Sequence, residues 1–336
     1  MKVLIAGGAG FIGSTIGSCL LDAGHQPVVL DNLVTGRREF CAGRPFYEGD
    51  IADRAILDRI FDDHPDIEAV VHCAALIVVP DSVARPISYY RENVVKTLDL
   101  VDHLIAKGVT RLVFSSSASI YEPNDEFSVD EGSALAAQSP YARTKLVVER
   151  MFTDITAASP LRVLSLRYFN PIGADPKMRT GLQVAAPSHA LGKLIEAYRA
   201  GTPFSVTGVD YPTRDGSGIR DYVHVWDLAG AHLRALEVFD TLFPEKSHYR
   251  VINLGTGTGT TVREFVEAFN QVVDRPVAIA EAPRRPGDQA GAYTRSTRAA
   301  DLLGWRAEHS VADGIRDTLA WFEQRDRILP DLAGRR

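Results

Sequence analysis

The chain has 336 residues, 45% hydrophobic and 24% charged, a length that suits about two globular domains. Its net charge of −6 argues against a protein that binds nucleic acid or anionic membranes, because both activities need a basic surface. The three cysteines (Cys19, Cys41 and Cys73) are odd in number and far apart, and no long apolar segment is present. We therefore expect a cytoplasmic protein with reduced thiols and without a disulfide framework, a zinc site or a membrane span.

The first half of the chain alternates short apolar runs with longer amphipathic stretches. The runs predict strands at 3–6, 27–30, 46–48, 69–72, 111–114 and 162–167. The stretches predict helices at 11–22, 53–63, about 82–107 and about 140–156. Continuous apolar strands separated by helices are typical of a parallel sheet covered on both faces. We therefore predict an α/β fold with a doubly wound parallel Rossmann sheet.

The pattern changes after residue 167, where Gly, Pro and Asp become frequent. Further helices are predicted near 189–200, 223–239, 262–273 and 311–324, with strands at 250–254 and 277–280. We expect residues 1–170 and about 222–253 to form the first domain. Residues 171–221 and about 254–330 then form a smaller C-terminal α/β domain for the substrate.

A glycine-rich turn joins the first strand to the first helix. Its three evenly spaced glycines are Gly7, Gly10 and Gly13. Glycine lets the backbone turn tightly and lets a pyrophosphate approach the helix N-terminus, although a tight turn without a ligand is the alternative. Asp31 ends the second strand, where a carboxylate accepts from both ribose hydroxyls and repels a 2′-phosphate. This favours NAD over NADP, while Arg37 and Arg38 close by would soften that repulsion.

A serine, a tyrosine and a lysine form the second motif. Ser117 follows the fifth strand, and Tyr141 and Lys145 share one face of a later helix because they are four residues apart. A nearby ammonium lowers the pKa of a tyrosine, which is ordinarily about 10. With Ser117 bonded to both phenol and substrate, the three residues would move a proton from a carbinol beside a cofactor that takes the hydride. Without this combination, Tyr141 and Lys145 would be an exposed pair on a helix, and the serines near Ser117 would be a polar turn.

These motifs, in this order, resemble the extended short-chain dehydrogenase/reductases and, more closely, the UDP-glucose 4-epimerases (UDP-galactose 4-epimerases). The resembling segments are 7–13, 31–33, 49–51, 72–75, 115–118, 141–145, 166–174, 208–213, 215–225 and 284–288, within a match over residues 1 to about 306. The resemblance implies NAD as cofactor, a UDP-sugar as substrate, and no nucleic-acid or membrane partner. It also implies a homodimer that forms through the helices near 82–107 and 140–156.

The resemblance also assigns roles to individual positions. The catalytic positions are Ser117, Tyr141 and Lys145. The cofactor-binding positions are Gly7, Gly10, Phe11, Ile12, Gly13, Asp31, Asn32, Asp50, Ile51, Ala74, Ala75, Asn93, Ser115, Tyr141, Lys145 and Tyr168. The substrate-binding positions are Ser117, Asn170, Ser188, His189, Arg220, Arg285, Asp288 and Ala292. Three alternatives without a functional role remain: a local Arg220–Asp221 ion pair, a solvated Arg284–Arg285 run, and a purely structural His72.

The chain departs from the family pattern at three places. Ile77 stands where many members have a lysine that touches the cofactor. The segment 179–186 on the uracil side diverges, and the asparagine-histidine or threonine-histidine signature of the family aligns with Ser188 and His189. Ala292 occupies a position where tyrosine goes with discrimination against N-acetylated sugars, so the resemblance implies some activity on UDP-N-acetylhexosamines. Tyr293 is adjacent, and an alignment shift of one residue would reverse this inference.

We therefore predict an isomerase that interconverts UDP-glucose and UDP-galactose at C4 through a 4-keto intermediate. A UDP-uronate or UDP-pentose 4-epimerase, a decarboxylase and a 4,6-dehydratase are the related alternatives. Residues 116–118 lack the Thr-Asp-Glu set usual in such dehydratases. A non-catalytic NAD-binding protein is the remaining alternative, and the presence of both Tyr141 and Lys145 argues against it.

Overall fold

The computed structural model describes residues 1–185, 187, 189–243, 247–284 and 289–332. The strands are β1 (Lys2–Ala6), β2 (Gln26–Asp31), β3 (Phe46–Glu48), β4 (Ile67–His72), β5 (Arg111–Ser117), β6 (Ser128–Val129), β7 (Arg162–Tyr168), β8 (Asn170–Ile172), β9 (Phe204–Thr207), β10 (Ile219–Arg220), β11 (Tyr222–His224), β12 (Tyr249–Leu254), β13 (Thr260–Thr261), β14 (Ile279–Ala282) and β15 (Tyr293–Thr294).

The helices surround these strands in a regular alternation through the first half. They are α1 (Phe11–Asp22), α2 (Arg54–Asp63), α3 (Val79–Ala84), α4 (Pro86–Tyr90), α5 (Lys96–Ala106), α6 (Pro140–Ala158), α7 (Ala190–Ala200), α8 (Val225–Glu237), α9 (Val262–Asn270), α10 (Arg298–Leu303) and α11 (Val311–Ile328). A π-helical turn, Arg91–Val95, joins α4 to α5. Within the described residues, no helix has the length and apolar character needed to cross a membrane.

Seven parallel strands form the central sheet in the order β12-β7-β5-β4-β1-β2-β3. The chain builds outward from β1 in both directions, so the strand order reverses between β1 and β4. In open α/β sheets, ligands bind at the carboxyl ends of the strands beside such a reversal. The predicted doubly wound fold is confirmed, and it places the glycine turn after β1 at this point.

Three hydrophobic clusters hold the layers together. Two of them pack helices against opposite faces of the central sheet, one including Leu228 of α8 and the other Phe152 of α6. The third gathers apolar residues of α7, α9 and α11 around the buried Trp321. Phe40, from the connection between β2 and β3, also enters this third cluster, with its ring centroid 5.7 Å from that of Trp321.

The single helix predicted over about 82–107 is wrong. The chain instead forms α3, α4, the π-helical turn and α5, with a break at Arg85, whose φ of −132° and ψ of 56° are not helical. The break precedes Pro86, which lacks an N–H and disfavours helical backbone in the residue before it. The helix predicted from residue 223 also begins later, because Tyr222–His224 pairs with β8 and the His224 side chain caps α8 by accepting from the Trp226 amide at 3.0 Å.

Candidate active site

The glycine turn lies where β1, α1 and β4 converge. A Cβ placed on Gly13 would come within 2.3 Å of the Gly7 carbonyl oxygen, and one on Gly7 within 2.5 Å of the Ala74 amide nitrogen. Gly10 caps α1 without a side-chain hydrogen bond to the helix amides. The cradle therefore requires glycine, and the amides at the start of α1 are available for a diphosphate. Phe11 and Ile12 follow and anchor α1 in two different hydrophobic clusters.

The carboxylate of Asp31 is buried at the end of β2. It accepts from the Ala9 amide at 3.0 Å and the Leu33 amide at 2.8 Å. Burial raises the pKa of Asp31, and these two amide bonds oppose the shift. The carboxylate is thus fixed beside the glycine turn, as a ribose-binding group must be. An added Cβ on Gly36 would lie 2.6 Å from its Oδ1, so the loop after β2 closes tightly over it.

Asp50 lies at the carboxyl end of β3, on the same side of the sheet. Its Oδ2 accepts from Lys96 at 2.5 Å and its Oδ1 from the Ala52 amide at 3.0 Å. Although burial opposes it, the Lys96 hydrogen bond and further partners, including Asn32, lower the pKa of Asp50. Ile51 is buried in the adjoining hydrophobic cluster. These residues form one polar edge next to Asp31, and Lys96 is a member that the sequence analysis missed.

Ser117, Tyr141 and Lys145 meet where β5 ends against α6. Lys145 is buried, and its Nζ donates to the Ser115 carbonyl oxygen at 2.7 Å and lies 4.7 Å from the centre of the Phe114 ring. Burial lowers the pKa of Lys145 to about 8. Burial also raises the pKa of Tyr141, and a hydrogen bond with Ser117 opposes that shift.

The predicted lowering of the Tyr141 pKa by Lys145 is therefore wrong in this structure. Charge lowers the pKa of a phenol only when the ammonium lies close to the oxygen, and here the ammonium is directed to a backbone carbonyl instead. Ser117 also shares a 2.9 Å hydrogen bond with Ser119. The hydrogen bond with Ser117 places the Tyr141 phenol next to a hydroxyl group at the site.

The remaining cofactor-side residues surround this trio. Asn93 holds the chain after β4, since its side chain bonds both the amide and the carbonyl of Leu76, at 2.8 and 2.9 Å. The Ser115 hydroxyl contacts the Cys73 sulfur at 3.1 Å, next to Ala74 and Ala75. Tyr168 ends β7 opposite Ser117, and burial raises its pKa. Ile77, the departure noted above, is largely exposed.

The substrate-side residues that the structure describes lie on short elements and loops of the second half of the chain. Asn170 begins β8 beside β11. Arg220 is held by backbone carbonyls, with Nη1 donating to Ile219 at 2.7 Å and Ala290 at 2.6 Å. His189 caps α7 by accepting from the Gly192 amide at 3.2 Å, and burial lowers its pKa to about 4. The neutral imidazole of His189 thus stabilises the N-terminus of α7, which is a structural role.

One of these alternatives is now decided. Asp221 accepts from the amides of Thr256 and Gly257 among the described residues, at 2.8 and 3.2 Å, so the alternative of an Arg220–Asp221 ion pair is wrong. Arg284 is exposed and pairs with Asp210 at 2.7 Å, and this surface pair leaves the alternative of a solvated Arg284–Arg285 run open. Ser188, Arg285 and Asp288 lie outside the described residues.

Ala292 is half-buried immediately before β15, and Tyr293 begins that strand. A Cβ added to Gly259 would come within 2.4 Å of a Tyr293 ring carbon. The Tyr293 ring thus packs over Gly259.

Several polar residues close to the trio were missed. They are Glu149, Arg167, Tyr121 and Asn253, which hydrogen-bond one another in the interior. Glu149 lies one helical turn after Lys145, so the i, i+4 spacing was a usable signal. The others come from separate strands and loops, and their proximity is set by the tertiary structure.

The fold and the site define a nucleotide-cofactor enzyme of the Rossmann class with a Ser-Tyr-Lys centre. The chain belongs to the NAD dependent epimerase/dehydratase family, whose model matches residues 3–255. It is 41% identical to the UDP-glucose 4-epimerase of Rhizobium leguminosarum bv. trifolii over 322 residues, which cover 95% of this chain and 96% of the relative.

Solved structures of UDP-glucose 4-epimerases have the same fold. The enzyme from Stenotrophomonas maltophila, solved with bound NAD and formylated UDP-arabinopyranose, superposes with a TM-score of 0.91 at 36% identity. That comparison covers 97% of this chain and 99% of the other. The enzyme from Brucella ovis in complex with NAD gives a TM-score of 0.88 at 37% identity, over 95% and 98% of the two chains.

Proposed function

We propose that the chain is an NAD-dependent epimerase that interconverts UDP-glucose and UDP-galactose at C4. The observation that carries this proposal is the Ser117–Tyr141–Lys145 centre at the carboxyl edge of the sheet, next to a glycine cradle and a fixed Asp31. The near full-length similarity to UDP-glucose 4-epimerases supports the same reaction.

NAD fits the residues present, because the turn has no room for a Cβ at Gly7 or Gly13 and Asp31 favours free ribose hydroxyls. NAD bound there would supply the acceptor, and later the donor, of the hydride at C4 of the sugar. Tyr141, as the phenolate, accepts the proton of the C4 hydroxyl with the help of Ser117 and later gives it back. Lys145 lies at the buried edge of the site, where its Nζ donates to the Ser115 carbonyl oxygen and holds α6 against β5.

The nucleotide must be held firmly while the sugar turns over, so binding energy belongs on the UDP moiety. Arg220 suits this role because a guanidinium has five N–H donors and its described bonds use three of them. Asn170 stands beside it, and we assign Arg285 and Asp288 to the diphosphate and the uridine ribose. Proton and hydride both return to the sugar, so no external redox partner is consumed.

The test is conversion of UDP-galactose to UDP-glucose by the purified protein, without an added oxidant or reductant, followed by NMR. We expect an equilibrium mixture, and its loss in Tyr141→Phe. Tyr198→Phe is the matched control, because it removes a tyrosine hydroxyl that bonds Asp274 at 2.6 Å on an exposed surface. Absence of conversion by the wild-type protein would refute the proposal and direct the search to UDP-uronates and UDP-pentoses.

We also propose that the sugar pocket accepts N-acetylated sugars, because Ala292 is small and the bulky Tyr293 ring packs over Gly259 instead. Ala292→Tyr should abolish turnover of UDP-N-acetylglucosamine while UDP-galactose is still converted. A wild-type protein that converts UDP-galactose but not UDP-N-acetylglucosamine would exclude this substrate.

A homodimer and a cytoplasmic location remain part of the proposal, together with the two-domain division at 1–170 plus about 222–253, and about 171–221 plus 254–330. An apolar face runs along α3 to α5 and exposes Val83, Ile87, Val95 and Leu98. Its spacing follows one side of the helical path, and a second copy of the chain would cover it. Ile87→Glu combined with Leu98→Glu should halve the mass measured by light scattering, whereas an unchanged mass would refute this interface.

A further inference from the structure

A chain of buried polar side chains begins directly behind the catalytic residues. Glu149 lies one turn after Lys145 on α6, and its Oε1 accepts from the Ser116 hydroxyl at 2.5 Å. The same carboxylate accepts from Arg167 Nε at 2.9 Å and Nη2 at 2.5 Å. Glu149 and Arg167 are each 4% exposed. The strand that carries Ser117 is thus tied to the helix that carries Lys145 by a carboxylate outside the catalytic trio.

Tyr121 continues this chain away from the trio. Its hydroxyl accepts from Arg167 Nη1 at 2.9 Å and donates to Asn253 Oδ1 at 2.6 Å. Burial raises the pKa of Tyr121 to about 12, so it keeps its proton and can fill both roles at once. One oxygen atom therefore connects β7 to β12.

Asn253 passes the connection to the segment that follows Ala292. The backbone amide of Asn253 donates to Glu131 Oε1 at 2.7 Å. The Glu131 carboxylate also accepts from the Ser296 hydroxyl, at 2.9 Å and 2.7 Å to its two oxygens. Asn253 Nδ2 also lies 3.4 Å from the Thr294 hydroxyl. The chain of contacts thus ends within β15 and just after it, two to four residues after the proposed sugar-pocket position.

We propose that Tyr121 is a positioning residue, which fixes the strand beside the sugar relative to the Ser117–Tyr141–Lys145 centre through Arg167 and Asn253. This inference rests on the proposed function. A fully bonded buried network has one low-energy arrangement, so it holds two distant segments in register. Proton transfer needs the sugar hydroxyl within hydrogen-bond reach of Tyr141, and an error of about 1 Å in placing a substrate costs about a hundredfold in rate.

The experiment compares Tyr121→Phe with the wild-type protein, purified with its cofactor. We expect kcat for UDP-galactose to fall at least about tenfold while KM changes less than about threefold, because placement rather than nucleotide binding is affected. We also expect amide hydrogen exchange to speed up about tenfold in a peptide spanning 291–297, more than a hundred residues away in sequence. Ser296→Ala, at the half-buried far end of the chain, should lower kcat about threefold and supplies the test on its own if Tyr121→Phe does not fold.

Tyr47→Phe is the matched control, since it removes a tyrosine hydroxyl bonded to Asp63 at 2.7 Å at the opposite edge of the sheet, and it should leave all three measurements unchanged. If the wild-type protein converts UDP-galactose and both network variants keep wild-type kcat and exchange, the positioning role is overturned while the proposed function stands. Faster exchange throughout the sheet, with kcat lost only in proportion to unfolded protein, also overturns it. If the wild-type protein does not convert UDP-galactose, the proposed function and the positioning role are both refuted.

Discussion

The buried pair of Glu149 and Arg167 offers a quantitative test of the energetics behind the site. Both side chains are almost fully buried, and the carboxylate takes at least three short contacts from the guanidinium. Removing one partner of such a pair leaves an uncompensated charge in the interior, at a cost of about 3–5 kcal/mol. We therefore expect Glu149→Gln and Arg167→Met each to lower the free energy of unfolding by about 4 kcal/mol.

The double variant is the informative one. Independent losses would add to about 8 kcal/mol, but the double variant leaves no unpaired charge and should lose only about 4–5 kcal/mol. The interaction energy in the double-mutant cycle is then about 3–4 kcal/mol. Urea unfolding followed by tryptophan fluorescence measures it, because Trp226 and Trp305 pack against the core of the central sheet.

The matched control is the exposed pair of Arg54 and Asp102, whose N–O distance is 2.6 Å and whose side chains are about two-thirds exposed. Solvent screens such a pair, so Arg54→Gln should cost less than about 1 kcal/mol. Strictly additive losses at Glu149 and Arg167, or single losses as small as the control, would refute the reasoning.

Three further predictions concern the cofactor cradle, acid stability and ribose binding. Gly13→Ala places a Cβ 2.3 Å from the Gly7 carbonyl oxygen and should abolish NAD retention, measured as nucleotide released per chain. Gly230→Ala in α8 is the control, because no atom would lie nearer to its Cβ than 3.9 Å. This control should retain NAD and should melt at the wild-type temperature or higher. His72 is buried, and its pKa is lowered to about 3 from an unfolded value of about 6.5. Its neutral form therefore stabilises the fold fully above about pH 6.5, and this stabilisation is lost as the pH falls towards about 3. Between about pH 6.5 and pH 5, the free energy of unfolding measured in urea should fall by about 2 kcal/mol less in His72→Gln than in the wild type, and equal losses would contradict this. Asp31→Ala should weaken NAD binding at least about tenfold by calorimetry, and an unchanged affinity would exclude Asp31 as the ribose acceptor.

Local sequence determined the parts of the molecule that depend on neighbouring residues. The bounds of α1 and β3 agree with the pattern of apolar residues and glycines, and α6 begins at Pro140, as predicted. The structure adds a Ser139 cap at the start of α6. Pro86 also carried a local signal for the break between α3 and α4, which the helical periodicity around it concealed.

The position of Tyr141 and Lys145 on one helix face follows from the same short-range geometry, but the direction of the Lys145 ammonium does not. It depends on the Ser115 carbonyl, which another element brings within 2.7 Å. For the same reason the expected effect on the Tyr141 pKa was wrong: spacing along a helix fixes which side chains share a face, and it does not fix which acceptor a flexible side chain reaches.

The remaining features were decided by tertiary structure alone. Arg220 is held by a carbonyl seventy residues away in sequence, Phe40 enters a hydrophobic cluster built from the second half of the chain, and Tyr121 meets Asn253 across 132 residues. Each of these contacts satisfies a buried polar group or fills a gap in the core. Hydrogen-bonding of buried polar groups and close packing act between whichever residues the fold brings together. Periodicity and spacing along the chain therefore do not predict these contacts.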